Sequence, residues 1–244
     1  MSVLYNVHQS LYHEIRTSVL PSLGYVDAIF GEELTVADAL TNKYSFSRKD
    51  LAYADASGHI DPSGVRIYDD SRVLSLDEYS VNYIESSVTL STAPSGVVTS
   101  DYRSYQIHVM DSFPDDEEFE HADLPLVCLD VTENDPSPFA VGSSASFWKV
   151  FYFIDIFATN DPMRMNLMEH LQRALRTSMP LFDFSENMPL NYDGTINMSF
   201  DRDSQFMKWM KVAVKPSAKK VDLGSQNPKE KHRAAIDGMM MNIF

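Results

Sequence analysis

The stretch FWKVFYFIDIFATNDPMRMNLMEHLQRALRTS, residues 147–178, decides how this chain folds. Its first half is a run of aromatic and β-branched residues, too apolar for a surface loop. At a period of two, Trp148, Val150, Tyr152, Ile154, Ile156 and Ala158 fall on one face of a strand, and all are apolar. The opposite face reads Phe147, Lys149, Phe151, Phe153, Asp155 and Phe157, rings mixed with charges. A solvated face does not carry four Phe, and a buried central face does not carry Lys149 and Asp155. This second face is therefore expected to be covered, by the same chain or by a neighbouring subunit. Phe151, Phe153 and Phe157, beside Lys149 and Asp155, make a candidate subunit interface.

The second half of the stretch changes period. Met163, Leu167, Leu171, Ala174 and Leu175 recur at spacings of three and four, which gives one apolar helical stripe. Asp161 suits an N-cap and Pro162 the first helical position, where no N–H is needed. Arg173 and Arg176 suit the negative end of the helix dipole, and Pro180 is expected to end the element. The unit is a strand followed by a helix, and it carries no chemistry by itself.

Upstream, Leu4, Val7, Leu11, Ile15 and Val19 define an amphipathic first helix, stopped by Pro21 and Gly24. Residues 32–42 allow a short helix, and 55–64 read as an exposed loop. Asp55, His59 and Asp61 can be drawn there as a metal cluster, but a loop without visible second-shell support reads first as a polar turn. From Val65 to Tyr105 the texture is that of short strands, with Val88–Leu90 and Val97–Thr99 expected to pair as a hairpin across Pro94-Ser95-Gly96. Residues 105–110 continue as a strand.

FPDDEEFEHADLP follows, a Pro-bounded acidic stretch expected to be a solvated loop. A Ca²⁺ or Mg²⁺ site is conceivable among so many carboxylates, but the run lacks the EF-hand register. LPLVCLDVTE is the next strand, with Cys128 pointing into a core as an inert thiol, since no basic group stands beside it. Gly142-Ser143-Ser144-Ala145-Ser146 is not a nucleophile elbow, because its second Gly is missing and a strand follows. Beyond the helix, MPLFDF, TINMSFDR and FMKWMKVAVKP read as strands, with a turn at Asn191–Gly194. Residues 216–231 have the composition of a loop or arm, and HRAAIDGMMMNIF returns to strand alternation.

Composition bounds the function. The 244 residues carry a net charge of −15 with one cysteine, which forbids an intrachain disulfide framework and suits a reducing compartment. No apolar run reaches the roughly 18–20 residues of a membrane span, and the first residues lack the basic start of a secretory signal. Residues 1–201 hold 31 acids and 11 bases, whereas residues 202–244 hold 4 acids and 9 bases. The acidic part has nothing with which to grip a phosphate backbone. Solvation explains the asymmetry first, and acid–base contact between subunits second. The seven His show no H-x-H or H-E-x-x-H pairing, which weighs against a metal-dependent hydrolase.

The order of elements resembles the tail terminator (tail completion) and neck proteins of long-tailed bacteriophages. Ile156-Phe157-Ala158, the run from Arg164 through Leu167 to Leu171, and Ala235-Ile236 occupy places where that family has a strand, a helix and a last strand. SVTLSTAPSGVVTSDYRSYQIHV is similar to hairpin strands of phage neck and tail components. The resemblance covers residues 1–24 and about 105–244, with 25–104 as an inserted β-rich arm or subdomain.

It implies an α+β fold, a mixed or antiparallel sheet packed by the N-terminal helix and a second helix. It also implies a structural virion protein, assembled in the host cytoplasm, that needs no cofactor, metal or membrane. Its partners would be copies of itself in a ring of about six, the tail tube protein and a neck or head-closure protein. DNA would pass through the lumen without specific binding, along acidic walls such as Asp115, Asp116, Glu117 and Glu118. Other readings are a head-closure or connector protein, a metal-dependent hydrolase, and a monomeric binding module using the β-rich insertion.

Overall fold

The structure is a computed structural model, and it describes residues 3–138, 146–221 and 228–243. The fold is α+β, with an N-terminal helix and mostly antiparallel sheet. The chain divides into two compact units: residues 1–19, 107–185 and 205–244 form one, residues 20–106 and 186–204 the other. Among the described residues, no helix is long and apolar enough to cross a membrane.

The chain starts in the first unit with α1 (Val3–Glu14), which runs on through a π turn over Ile15–Val19. The wider turn accommodates Thr17, whose hydroxyl donates to the His13 carbonyl at 2.7 Å. Helical geometry runs through Pro21, which does not stop it, as a short α2 (Leu20–Ser22), and ends before Gly24, whose φ is +84°.

The second unit then takes eight strands in succession. They are β1 (Val26–Glu33), β2 (Thr35–Asp38), β3 (Lys43–Ser45), β4 (Val65–Asp69), β5 (Arg72–Val73), β6 (Tyr79–Asn82), β7 (Ser87–Leu90) and β8 (Val98–Tyr105). Two four-stranded sheets result, ordered β1-β8-β4-β5 and β2-β3-β7-β6. Val65, Ile67 and Tyr102 of one and Val81, Val88 and Leu90 of the other share a single core. Tyr79 ties the sheets together by donating its buried hydroxyl to the Val65 carbonyl at 2.9 Å.

Two local expectations fail in this unit. Residues 32–42 hold the end of β1, all of β2 and a turn over 39–42, because pairing of β1 with β8 and β2 with β3 overrides a weak helical preference. Val88–Leu90 and Val97–Thr99 are not a hairpin, since β7 and β8 lie in different sheets. The turn between them is pinned elsewhere: the Asp69 carboxylate accepts from the Ser95 and Gly96 amides at 2.9 Å each, and Asp70 accepts from Val97 N–H at 3.0 Å. A Cβ on Gly96 would lie 2.0 Å from the Asp70 carboxylate, so only glycine lets the loop approach.

Back in the first unit come β9 (His108–Met110), α3 (Asp116–His121), β10 (Leu126–Pro138), β11 (Ser146–Phe157), α4 (Asp161–Ala174) and β12 (Ser178–Phe182). After α5 (Arg202–Gln205), β13 (Phe206–Val221) and β14 (Arg233–Ile243) complete one six-stranded sheet, β12-β13-β14-β11-β10-β9. All pairs are antiparallel except β9 with β10. The apolar face of β11 is buried as its alternation predicts, with Val150, Tyr152, Ile154 and Ile156 at zero exposure. Val7, Leu11 and Ile15 of α1, with Leu167, Leu171 and Leu175 after them, bury on the sheet.

Polar residues of α1 close the open edge of this sheet. The Phe182 amide on edge strand β12 donates to Ser10 Oγ at 2.9 Å, and Phe184 N–H donates to Asn6 Oδ1 at 3.1 Å. A helix side chain thus stands where a further strand would otherwise pair.

Helix α4 starts one residue earlier than Asp161 suggests: Asn160 is the N-cap, accepting from the Met163 amide at 2.9 Å. Its end at Ala174 owes nothing to Pro180, which lies within β12. Residues 195–202 form no strand beyond one bridge, Leu190↔Ile196, across the Asn191–Gly194 turn. Residues 186–204, read from sequence with the core, cluster with the second unit. The Gly142–Ser146 reading falls mostly outside the described residues, as does part of the 216–231 arm, whose first residues continue β13.

Candidate assembly surfaces

The face of β11 opposite the helices has two fates along its length. Lys149 and Phe151 are half-buried, and Phe153 is 43% exposed. Their register partners on β14 are Met241, Met239 and Asp237. Asp130 on β10 stands opposite Phe153 on the other side and is exposed. On β13 the same face carries Lys211, paired with Met241, and Lys219, paired with Ala235; both are exposed. Trp209, two residues before Lys211, is 56% exposed. The middle of the sheet thus presents Phe153 to solvent among half-buried Phe151, Met239 and Met241, with lysines along β13 and carboxylates at Asp237 and Asp130.

The end of this face is closed from within the chain, and two candidate interface residues are corrected by it. Phe157 is fully buried, packed with Phe119, Leu126 and Cys128. Asp155 accepts a hydrogen bond from Arg233 Nε at 2.9 Å, and both side chains are mostly buried. The Arg233 guanidinium lies over the rings of Phe113 and Phe157, 5.4 and 5.2 Å from their centroids. Asp155 and Phe157 therefore belong to an internal cluster, and the accessible part of the face is Lys149, Phe151 and Phe153.

The cover is built on the acidic segment. Asp115 and Glu118 do not float in a loop but form a capping box: Asp115 Oδ1 accepts from Glu118 N–H at 2.8 Å, and the Glu118 carboxylate accepts from Asp115 N–H at 3.3 Å. The helix they open, α3, runs from Asp116 and sets Phe119 inward on Phe157, with centroids 4.8 Å apart. Lys229 Nζ donates to the carbonyls of Phe119, Glu120 and Ala122 at 2.8, 2.5 and 2.6 Å, closing the helix's C-terminal end. Glu117 and Glu118 remain exposed. Part of the acid–base asymmetry read from the sequence is thus satisfied inside the chain.

Sequence reasoning missed the Arg233–Asp155 and Lys229–α3 contacts, because both depend on strand register. The capping box had a signal, Asp115-x-x-Glu118 ahead of an apolar Phe119. It also missed the cluster at the head of α4, where Asp161 accepts from Arg164 Nε at 3.0 Å and lies 3.1 Å from His232 Nδ1. These contacts, that of His232 first, lower the Asp161 pKa.

Asp55, His59 and Asp61 do not come together as ligands. Asp55 Oδ1 accepts from the Ser57 and His59 amides at 2.8 and 3.0 Å, a local polar turn. The His59 ring is 3.5 Å from Asp203, whereas Asp61 caps a short 3₁₀ turn and pairs with Arg103 at 2.7 Å. Among the described residues no three His, Cys, Asp or Glu side chains are arranged to hold a metal. Cys128 is buried, and burial pushes its thiol up to about 12. Comparison of the chain with protein-family models, with curated proteins and with solved structures finds no match.

Proposed function

We propose that this chain is a structural virion subunit of the tail terminator or neck type, which acts by assembly and without turnover. The observation that carries the reading is the uncovered middle of the six-stranded sheet. Phe153 stands exposed there beside half-buried Phe151, Met239 and Met241, with Trp209 exposed beyond Lys211 on β13, on a framework whose opposite face is packed by helices over Val150, Tyr152, Ile154 and Ile156. Exposed aromatic surface on a rigid sheet is characteristic of surfaces that bury against another protein. The order of helix, long paired strands, helix and returning last strand supports the same reading by resemblance. Lys211 and Lys219 on β13 and Asp130 on β10 give the surface a direction, so that copies can meet with unlike charges opposed.

The test is the mass of the chain in solution, wild type against Phe153→Asp. A ring that reverts to a folded monomer on substitution supports the proposal. A wild-type monomer at all concentrations, with or without tail tubes, speaks against it.

A further inference from the structure

Strand β6 is the outer strand of its sheet, and two hydrogen bonds fix which way its backbone points. Ser91 N–H donates to the Glu78 carbonyl at 2.9 Å, in register with the β6–β7 pairing. Residues 78, 80 and 82 therefore turn their peptide groups toward β7, and Tyr79, Val81 and Tyr83 turn theirs outward. Tyr83 N–H is met on that outer side by the Gly194 carbonyl at 2.9 Å. The pairing stops there. Among the described residues no other segment bonds to the outward N–H and C=O of Tyr79 and Val81.

A groove of about 420 Å³ opens at this place, within the second unit. It is lined by Tyr79, Val81 and Tyr83 of the β6 edge together with Leu76, Ile196 and Met198. Leu76 and Met198 are 56% and 71% exposed. Asp77 lines the end near the start of β6. At the other end Thr195 donates from its amide and hydroxyl to Asp193 Oδ1 at 3.0 and 2.7 Å, which fixes a second exposed carboxylate. Gly194 sets the wall's approach: its φ is +82°, and a Cβ there would lie 2.2 Å from Asn82 Oδ1.

We propose that this groove takes an extended segment of another protein, added to β6 as a further strand, apolar at alternate positions and bearing a basic residue at each end. Each part of that description has its source. Two consecutive outward-facing peptide units at strand spacing require an extended backbone, since a helix has no free groups to offer. Leu76, Ile196 and Met198 take apolar side chains from it. Asp77 lines the slot near the start of β6, and exposed Asp193 adjoins Gly194, whose carbonyl closes the slot at Tyr83, about four residues on at roughly 3.4 Å per residue. β6 lacks the bulge, proline or edge lysine that would blunt it against pairing. The site shares no residue with the β11 face and does not rest on the assembly reading.

The experiment uses the full chain and the peptide Lys-Val-Thr-Val-Thr-Val-Lys-amide, carrying fluorescein on an N-terminal Gly-Gly spacer, with two controls: a central proline, and Glu in place of both Lys. Fluorescence anisotropy reads binding, and amide hydrogen exchange reads its place. The expected result is saturable binding with exchange at the Val81 and Tyr79 amides slowed at least about tenfold, and binding at least about tenfold weaker for each control. Val81→Pro deletes an outward N–H and leaves the β7 ladder whole. Because Val81 is buried, Met198→Lys on the exposed wall accompanies it. Both variants are expected to weaken binding about tenfold, and Phe153→Asp to leave it unchanged. Unslowed exchange at Val81 with peptide at about 1 mM, or equal binding by the proline control, overturns the proposal.

Discussion

Phe153 and Phe157 lie four residues apart on one face of β11, one 43% exposed and the other fully buried. Phe157→Ala is expected to cost about 3–5 kcal/mol in thermal or urea unfolding, since it empties the contact with Phe119, Leu126 and Cys128. Phe153→Asp sets a carboxylate between Asp237 and Asp130 and is expected to cost about 1–2 kcal/mol, less than Phe157→Ala. Removing Asp155 leaves Arg233, between two rings, with only the longer contact to Glu230 at 3.5 Å, and Asp155→Ala should cost about 1–3 kcal/mol by the same assay.

Glu78 makes a prediction in pH. Hydrogen bonds from the Ser75 amide at 2.8 Å and from Arg72 Nη1 at 2.7 Å hold its pKa down at about 2, against an ordinary 4.5. A carboxylate with a depressed folded pKa adds stability above its unfolded pKa, and that share is lost as pH falls from about 4.5 through about 2. The Glu78 side-chain carbon should titrate near 2 by NMR, and Glu78→Gln should flatten the acid limb. A midpoint at the ordinary value would contradict the hydrogen-bonded geometry.

Among the elements, α3 has six residues and depends on its ends. Lys229→Met leaves the carbonyls of Phe119, Glu120 and Ala122 without their cation, so amide exchange in α3 should accelerate while α1 keeps its protection. An unchanged exchange rate in α3 would show that the capping box and Phe119 hold it without Lys229. A test of an acidic lumen must respect the capping box: Asp115→Asn keeps the cap, and Glu117→Gln removes charge without touching it. At α4, Asn160→Ala should cost about 1 kcal/mol.

Elements with an unbroken period were legible in the sequence. β11 and α4 were read with their buried faces because Val150–Ile156 alternate and Leu167, Leu171 and Leu175 step by four. What was not legible turned on partners distant in sequence. The charged, ring-bearing face of β11 gave no sign that Arg233, 78 positions after Asp155, would neutralise one end of it. Nor did Pro94-Ser95-Gly96 show that Asp69 would draw the turn away from a hairpin.

For the whole molecule, the return of residues 186–204 to a unit built from residues 20–106 was beyond any local pattern. Its contacts with that unit include a hydrogen bond from Tyr83 to Gly194, the approach of Asp203 to His59 and the apolar contacts of Leu190 and Ile196. The β-rich texture of 65–105 was visible in its Val, Ile, Thr and Tyr content, but the division into two sheets was not. Strand pairing across distant segments leaves no mark on composition.

Assembly through the middle of the six-stranded sheet is tested most directly by the solution mass of the wild type and of Phe153→Asp, measured by light scattering alongside a thermal melt. The predicted result is an assembly of about six copies for the wild type, and for the variant a monomer that still melts cooperatively, a few degrees lower. A variant that keeps the wild-type mass, or a wild type that stays monomeric at every concentration even with tail tubes added, would contradict it.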